Sequence, residues 1–164
     1  MPAENGLWAS MPPETGGRLS WLLEAARLCQ EHQCESCITV LVEAAQAEPK
    51  NYAIHYQMGI CGSGGCRFHS QTLAEIALSH LRVALALVNP SEQPRERGRI
   101  LSAMGNTWLV SSREPSKVRL QPAISCFKEA AQTYLRVGDA EAWARVEFNL
   151  GNSCCELQEP HAQP

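Results

Sequence analysis

Leu150-Gly151-Asn152-Ser153-Cys154 repeats Met104-Gly105-Asn106-Thr107-Trp108, and both echo Met58-Gly59-Ile60-Cys61. The three glycines stand 46 and 46 residues apart. A second landmark keeps the same register, because Ala77-x-x-x-Leu81-x-x-Ala84 returns 46 residues later as Ala123-x-x-x-Phe127-x-x-Ala130. Two independent landmarks on one interval indicate tandem repeats, and repeats of this length usually stack into a solenoid. A solenoid offers an extended surface for holding other molecules and seldom a site for chemistry.

The sequence around these landmarks is helical almost throughout. Leu19, Leu22, Leu23 and Ala26 recur at helical intervals and give a first helix to about Gln33. Cys37, Val40, Leu41 and Ala44 give a second, stopped before Pro49 because proline cannot continue a helix. The third runs from Tyr52 to Cys61, after which Gly62, Gly64 and Gly65 open a loop to about Gln71. Leu73 to Val88, Arg95 to Val110, Gln121 to Val137 and Ala140 to Leu157 complete seven helices, with no convincing alternating strand. Residues 1–17 read as a flexible leader whose one sticky side chain is Trp8, and 159–164 as a polar tail. One domain, 18–158, lies between them.

Set out as helix pairs, the residues resemble the tetratricopeptide repeat family. Its pattern is Trp-x-x-Leu-Gly-x-x-Tyr, then Ala-x-x-x-Phe, then Ala and Pro. The first repeat reads Trp21-x-x-Glu24-Ala25-x-x-Leu28, Cys37-x-x-x-Leu41-x-x-Ala44 and Pro49. The second reads His55-x-x-Met58-Gly59-x-x-Gly62, Ala77-x-x-x-Leu81-x-x-Ala84 and Asn89-Pro90. The third reads Leu101-x-x-Met104-Gly105-x-x-Trp108 and Ala123-x-x-x-Phe127-x-x-Ala130, and a fourth opens as Glu147-x-x-Leu150-Gly151-x-x-Cys154 without a second helix. The resemblance implies an all-α, right-handed α-solenoid of about three and a half repeats, closed by a C-terminal capping helix. Small side chains let the paired helices cross closely, and stacking of neighbours buries the faces that one pair leaves open. The family's repeat is about 34 residues long, which fits the step from Ala25 to Gly59. The later steps of 46 imply longer turns and helices, and long loops add little closure entropy.

Composition narrows the function classes. Of 164 residues, 45% are hydrophobic and 19% charged, so the chain is globular. A net charge of −3 with mixed signs argues against nucleic acid as the main partner. No segment reaches the roughly 18 apolar residues of a spanning helix. The first residues carry no secretory pattern, and a cytoplasmic location with reduced thiols is the expectation. The unpaired fourth unit leaves self-association open.

In this family the first helix of each pair lines a concave groove. Carried over residue by residue, the resemblance implies that Tyr56, Arg99, Asn106, Arg145, Phe148, Asn149 and Asn152 bind a peptide or protein partner, with Ile60, Ser102 and Leu109 beside them. Asn106 and Asn152 follow the glycine in equivalent places, and Arg99 and Arg145 precede it. An asparagine amide both donates and accepts, so a ladder of them grips a peptide backbone. Arginines offer forked donors to carboxylates, and aromatic side chains offer anchors. These asparagines equally well cap or bridge helices.

The eight cysteines suggest an alternative. Cys29-x4-Cys34-x2-Cys37 has a plant-type ferredoxin spacing, with Cys61-x4-Cys66 downstream and His32 and His69 nearby. An iron–sulfur cluster or zinc held by Cys29, Cys34, Cys61 and Cys66 would make the chain an accessory protein for metalloenzyme assembly. Against this, Cys37 falls at a helix-packing position, and buried structural thiols with no cofactor are the plainer reading. The scattered histidines form no nucleophile setting, and Cys61-Gly62-Ser63-Gly64-Gly65-Cys66 follows a helix and lacks a phosphate-loop lysine. No catalytic function is expected.

Overall fold

The computed structural model describes residues 18–31, 33–61, 71–110 and 116–158. The predicted leader and tail lie outside these, as do the glycine-rich turn and His32. Seven helices and no strand occur among the described residues: α1 Arg18–Gln30, α2 Cys34–Ala47, α3 Tyr52–Ile60, α4 Gln71–Leu87, α5 Pro94–Val110, α6 Ser116–Val137 and α7 Ala140–Gln158. Each packs chiefly on its neighbour in the chain. No described helix is long and apolar enough to cross a membrane.

Local chemistry sets several boundaries. Asn51 caps α3 by accepting the Ala53 N–H at 3.1 Å, while its own amide donates to Glu48. Asn89 accepts the Ser91 N–H and turns the chain ahead of α5, which opens on Pro94, where the missing N–H costs nothing. Gly138, at φ +70, closes α6, and the Asp139 N–H reaches back to the Tyr134 carbonyl. Asp139 then caps α7 through the Ala142 N–H.

Two boundaries differ from the sequence expectation. Helix α1 stops at Gln30, three residues short of Gln33, because the Gln33 N–H turns back to the Leu28 carbonyl and α2 starts at Cys34. Helix α6 starts at Ser116 instead of Gln121, which puts Pro122 in its interior. That proline removes the hydrogen bond to the Val118 carbonyl. Arg119 anchors the added turn by donating to the Leu109 carbonyl and pairing with Glu156 of α7. Tertiary contacts override the local signal there.

The small positions and the apolar positions behind them recur in space. Cys37, Ala77 and Ala123 are fully buried, as are Leu41, Leu81 and Phe127, and Ala44, Ala84 and Ala130. A Cβ added at Gly59 would come 2.4 Å from the Leu81 Cγ, and one at Gly105 would come 2.5 Å from the Phe127 Cε1. Ala25 makes the corresponding crossing of α1 with α2, its carbonyl accepting from the Cys37 thiol at 3.3 Å. In α7 the register continues, but a Cβ at Gly151 would meet nothing within 4 Å. No described helix packs against that face.

Candidate functional site

The first helices of successive pairs touch one another, α1 with α3 and α3 with α5. Between α5 and α7 the Asn149 amide donates to Asn106 Oδ1 at 3.2 Å. An amide pair therefore bridges the two helices, formed by Asn106 with Asn149, whereas Asn152 stands exposed one turn further on. The sequence register had matched Asn106 with Asn152. Side chains on adjacent helices meet where the helices cross, which is set by their packing angle and not by equivalent position.

Tyr56 of α3 lies within electrostatic reach of Arg99 of α5 and Arg145 of α7. Burial pushes the Tyr56 hydroxyl up to about 12, while the positive charges of Arg99 and Arg145 act in the opposite sense. Tyr134 of α6 belongs to the same group. Its pKa is raised by burial, its hydroxyl is hydrogen-bonded with Ser102, and both arginines act on it. Ser102 in turn donates to the Gly98 carbonyl at 2.8 Å. The positive charges of Arg99 and Arg145 thus both act on the Tyr56 and Tyr134 hydroxyls, whose pKa values burial raises.

Phe148 is exposed at 68%, and Asn106, Arg145 and Asn152 are exposed as well. Ile60 and Leu109 are only partly buried but pack against the core, so they support the face instead of lining it. Tyr134 and Ser102 complete the arginine–tyrosine group. The family pattern does not point to Tyr134, which lies on a second helix, and its proximity follows from the close crossing at Gly98, where a Cβ would come 2.8 Å from the Tyr134 Cζ.

A second constellation lies where α1, α2 and α3 pack together. The Sγ atoms of Cys29 and Cys37 are 2.8 Å apart, and those of Cys37 and Cys61 are 3.0 Å apart. All three sulfurs lie within 4.8 Å of one another. Cys37 and Cys61 are buried, whereas Cys29 is half-buried at the end of α1. The Cys61 and Cys37 thiols turned toward Cys29 hold its pKa well below the usual thiol range. Burial pushes Cys37 up, and the neighbouring Cys29 sulfur pushes Cys61 up. Of the four cysteines named as ligands from the sequence, Cys29 and Cys61 converge, with Cys37 as the third thiol. Cys66 and the Cys34 side chain lie outside the described residues. The antiparallel turn between α1 and α2 brings Cys29 and Cys37 together, although they sit on different helices.

No protein-family model, no curated protein and no solved structure matches this chain.

Proposed function

We propose that this chain is a non-enzymatic scaffold of the tetratricopeptide type, which holds a peptide or protein partner on the face formed by its first helices. The observation that carries the reading is the shared electrostatic influence of Arg99 and Arg145 on Tyr56 and Tyr134. Arginine forks recognise carboxylates in a bidentate way, so the partner segment carries aspartate or glutamate side chains. Beside the arginines, the Asn106–Asn149 bridge and exposed Asn152 supply donors and acceptors for an extended backbone. Exposed Phe148 supplies an apolar anchor. The burial of Cys37, Ala77 and Ala123 in one register supports the repeat architecture that such a face requires.

The test is binding of random peptides, half of them rich in Asp and Glu and half rich in Lys and Arg, followed by fluorescence anisotropy. The acidic pool is expected to bind, more weakly at high salt. Arg99→Ala with Arg145→Ala should weaken it by at least about tenfold, in line with the loss of charge-assisted hydrogen bonds. Lys117→Ala, an exposed change on α6, serves as control. Equal binding of both pools, or indifference to the double substitution with helicity intact, would sink the assignment.

The metal-accessory alternative draws on Cys29, Cys37 and Cys61. Four thiolates around zinc at about 2.3 Å stand roughly 3.7 Å from one another, whereas two of these contacts are 2.8 and 3.0 Å. The sulfurs would have to separate to admit an ion, and three thiolates would leave net negative charge in a buried site. The scaffold reading is therefore the better supported of the two.

A further inference from the structure

We propose that Cys29 is a redox-reactive thiol oxidised by hydroperoxides, and that Cys37 resolves it into a disulfide joining α1 to α2. The inference is independent of the peptide-binding face and rests on different residues.

Three observations carry it. Cys29 is half-buried, so a small oxidant reaches it, whereas Cys37 is fully buried and Cys61 nearly so. The Cys29 and Cys37 sulfurs are already in contact at 2.8 Å, which places a resolving thiol where a sulfenic acid would form. The neighbouring thiols, Cys61 first and then Cys37, also lower the pKa of Cys29, favouring its thiolate, the form that attacks peroxides. By contrast, Cys155 is exposed, and no second thiol is described in contact with it.

The chemistry balances without a further reagent. The Cys29 thiolate attacks one oxygen of the hydroperoxide and the O–O bond breaks. Hydroxide (or alkoxide) departs with the electron pair, and Cys29 becomes a sulfenic acid. The Cys37 sulfur then attacks the Cys29 sulfur. An S–S bond forms as the S–O bond breaks, and the Cys37 proton leaves with the oxygen as water. Two sulfurs have lost two electrons to the peroxide. A disulfide is neutral, so oxidation leaves no charge in the buried site, unlike metal binding.

Cys37 can be changed without emptying its place, because Ala77 and Ala123 fill the equivalent buried positions. The reduced full chain is treated with one equivalent of hydrogen peroxide, unfolded, alkylated and mapped by mass spectrometry. A Cys29–Cys37 cross-link is expected, formed at least about tenfold faster than any oxidation of Cys155, as thiolate character dictates. In Cys37→Ala, Cys29 should persist as a sulfenic acid that a cyclic diketone traps. In Cys29→Ser, Cys37 should remain fully alkylated, which keeps the test decisive if Cys37→Ala fails to fold. Oxidation of Cys155 with Cys29 still alkylated would overturn the proposal. So would a cross-link from Cys29 to Cys34 or Cys66 in place of Cys37. So would stoichiometric zinc bound by the anaerobic protein and abolished by Cys29→Ser.

Discussion

Gly105 lies directly under the ring of Phe127, so close that a Cβ would come 2.5 Å from one ring carbon and 2.7 Å from the next. The ring is fully buried and has nowhere to swing. Gly105→Ala should therefore destabilise the fold by about 1–3 kcal/mol through overpacking, even though alanine is the better helix former. Gly151 has the same register in α7 with open space in front of it, and Gly151→Ala should stabilise by up to about 1 kcal/mol. Urea denaturation of the two variants reads the difference, and shifts of the same sign would contradict the packing described.

Phe127 fills the gap that Leu41 and Leu81 fill in the earlier pairs. Phe127→Ala should cost about 3–5 kcal/mol, as a large buried aromatic usually does. Phe127→Leu keeps an apolar side chain of the type used in the other two pairs, and should cost less than half as much. Thermal unfolding of both variants checks the ratio, and equal losses would show that the position does not follow the repeat register.

Pro122 sits in the interior of α6. Replacing it with alanine restores the N–H that the Val118 carbonyl lacks and removes a ring clash. We expect Pro122→Ala to raise stability by about 1–3 kcal/mol, the helix gain exceeding the lost stiffness of the unfolded chain. Arg119→Ala, which frees the first turns of α6 from Leu109 and Glu156, should lower it by about 1–2 kcal/mol. Amide hydrogen exchange across 116–122 should speed up in Arg119→Ala and slow down in Pro122→Ala.

His55 and His80 stack, their Nδ1 atoms 3.3 Å apart, and His55 Nε2 donates to the Pro49 carbonyl. Neutral His55 then has a bare Nδ1, so His80 supplies the proton between the rings. Burial, then the charge of His55, lowers the pKa of His80. The folded state thus resists a proton that the unfolded chain accepts. The resulting stability is fully present above the ordinary value of 6.5 and is lost as pH falls through the lowered folded value. His80→Gln should flatten the stability profile between neutral pH and pH ~5, and an unchanged slope would remove His80 as its source.

Much of this fold was legible in the residues because helix packing demands local, periodic features. The 46-residue interval, the small residues at Cys37, Ala77 and Ala123, and the Gly138-Asp139 stop all report short-range requirements that a linear pattern records. Most helix ends followed to within a residue or two. The exceptions were the end of α1, where the Gln33 N–H reaches back to Leu28, and the start of α6, which depends on Arg119 reaching Leu109 and Glu156, ten and 37 residues away. No window of sequence around Pro122 contains that information.

The candidate site divides the same way. The sequence by itself determined which positions are small and buried, since a Cβ at Gly59 or Gly105 would strike the facing helix wherever the chain turns next. It also supplied Tyr56, Arg99 and Arg145 as first-helix residues. Only the tertiary structure decided that Asn106 meets Asn149 in place of Asn152, that Tyr134 joins the arginines, and that Cys29, Cys37 and Cys61 share one neighbourhood. Contacts between helices depend on crossing angle and turn geometry, which the packing of the whole chain sets.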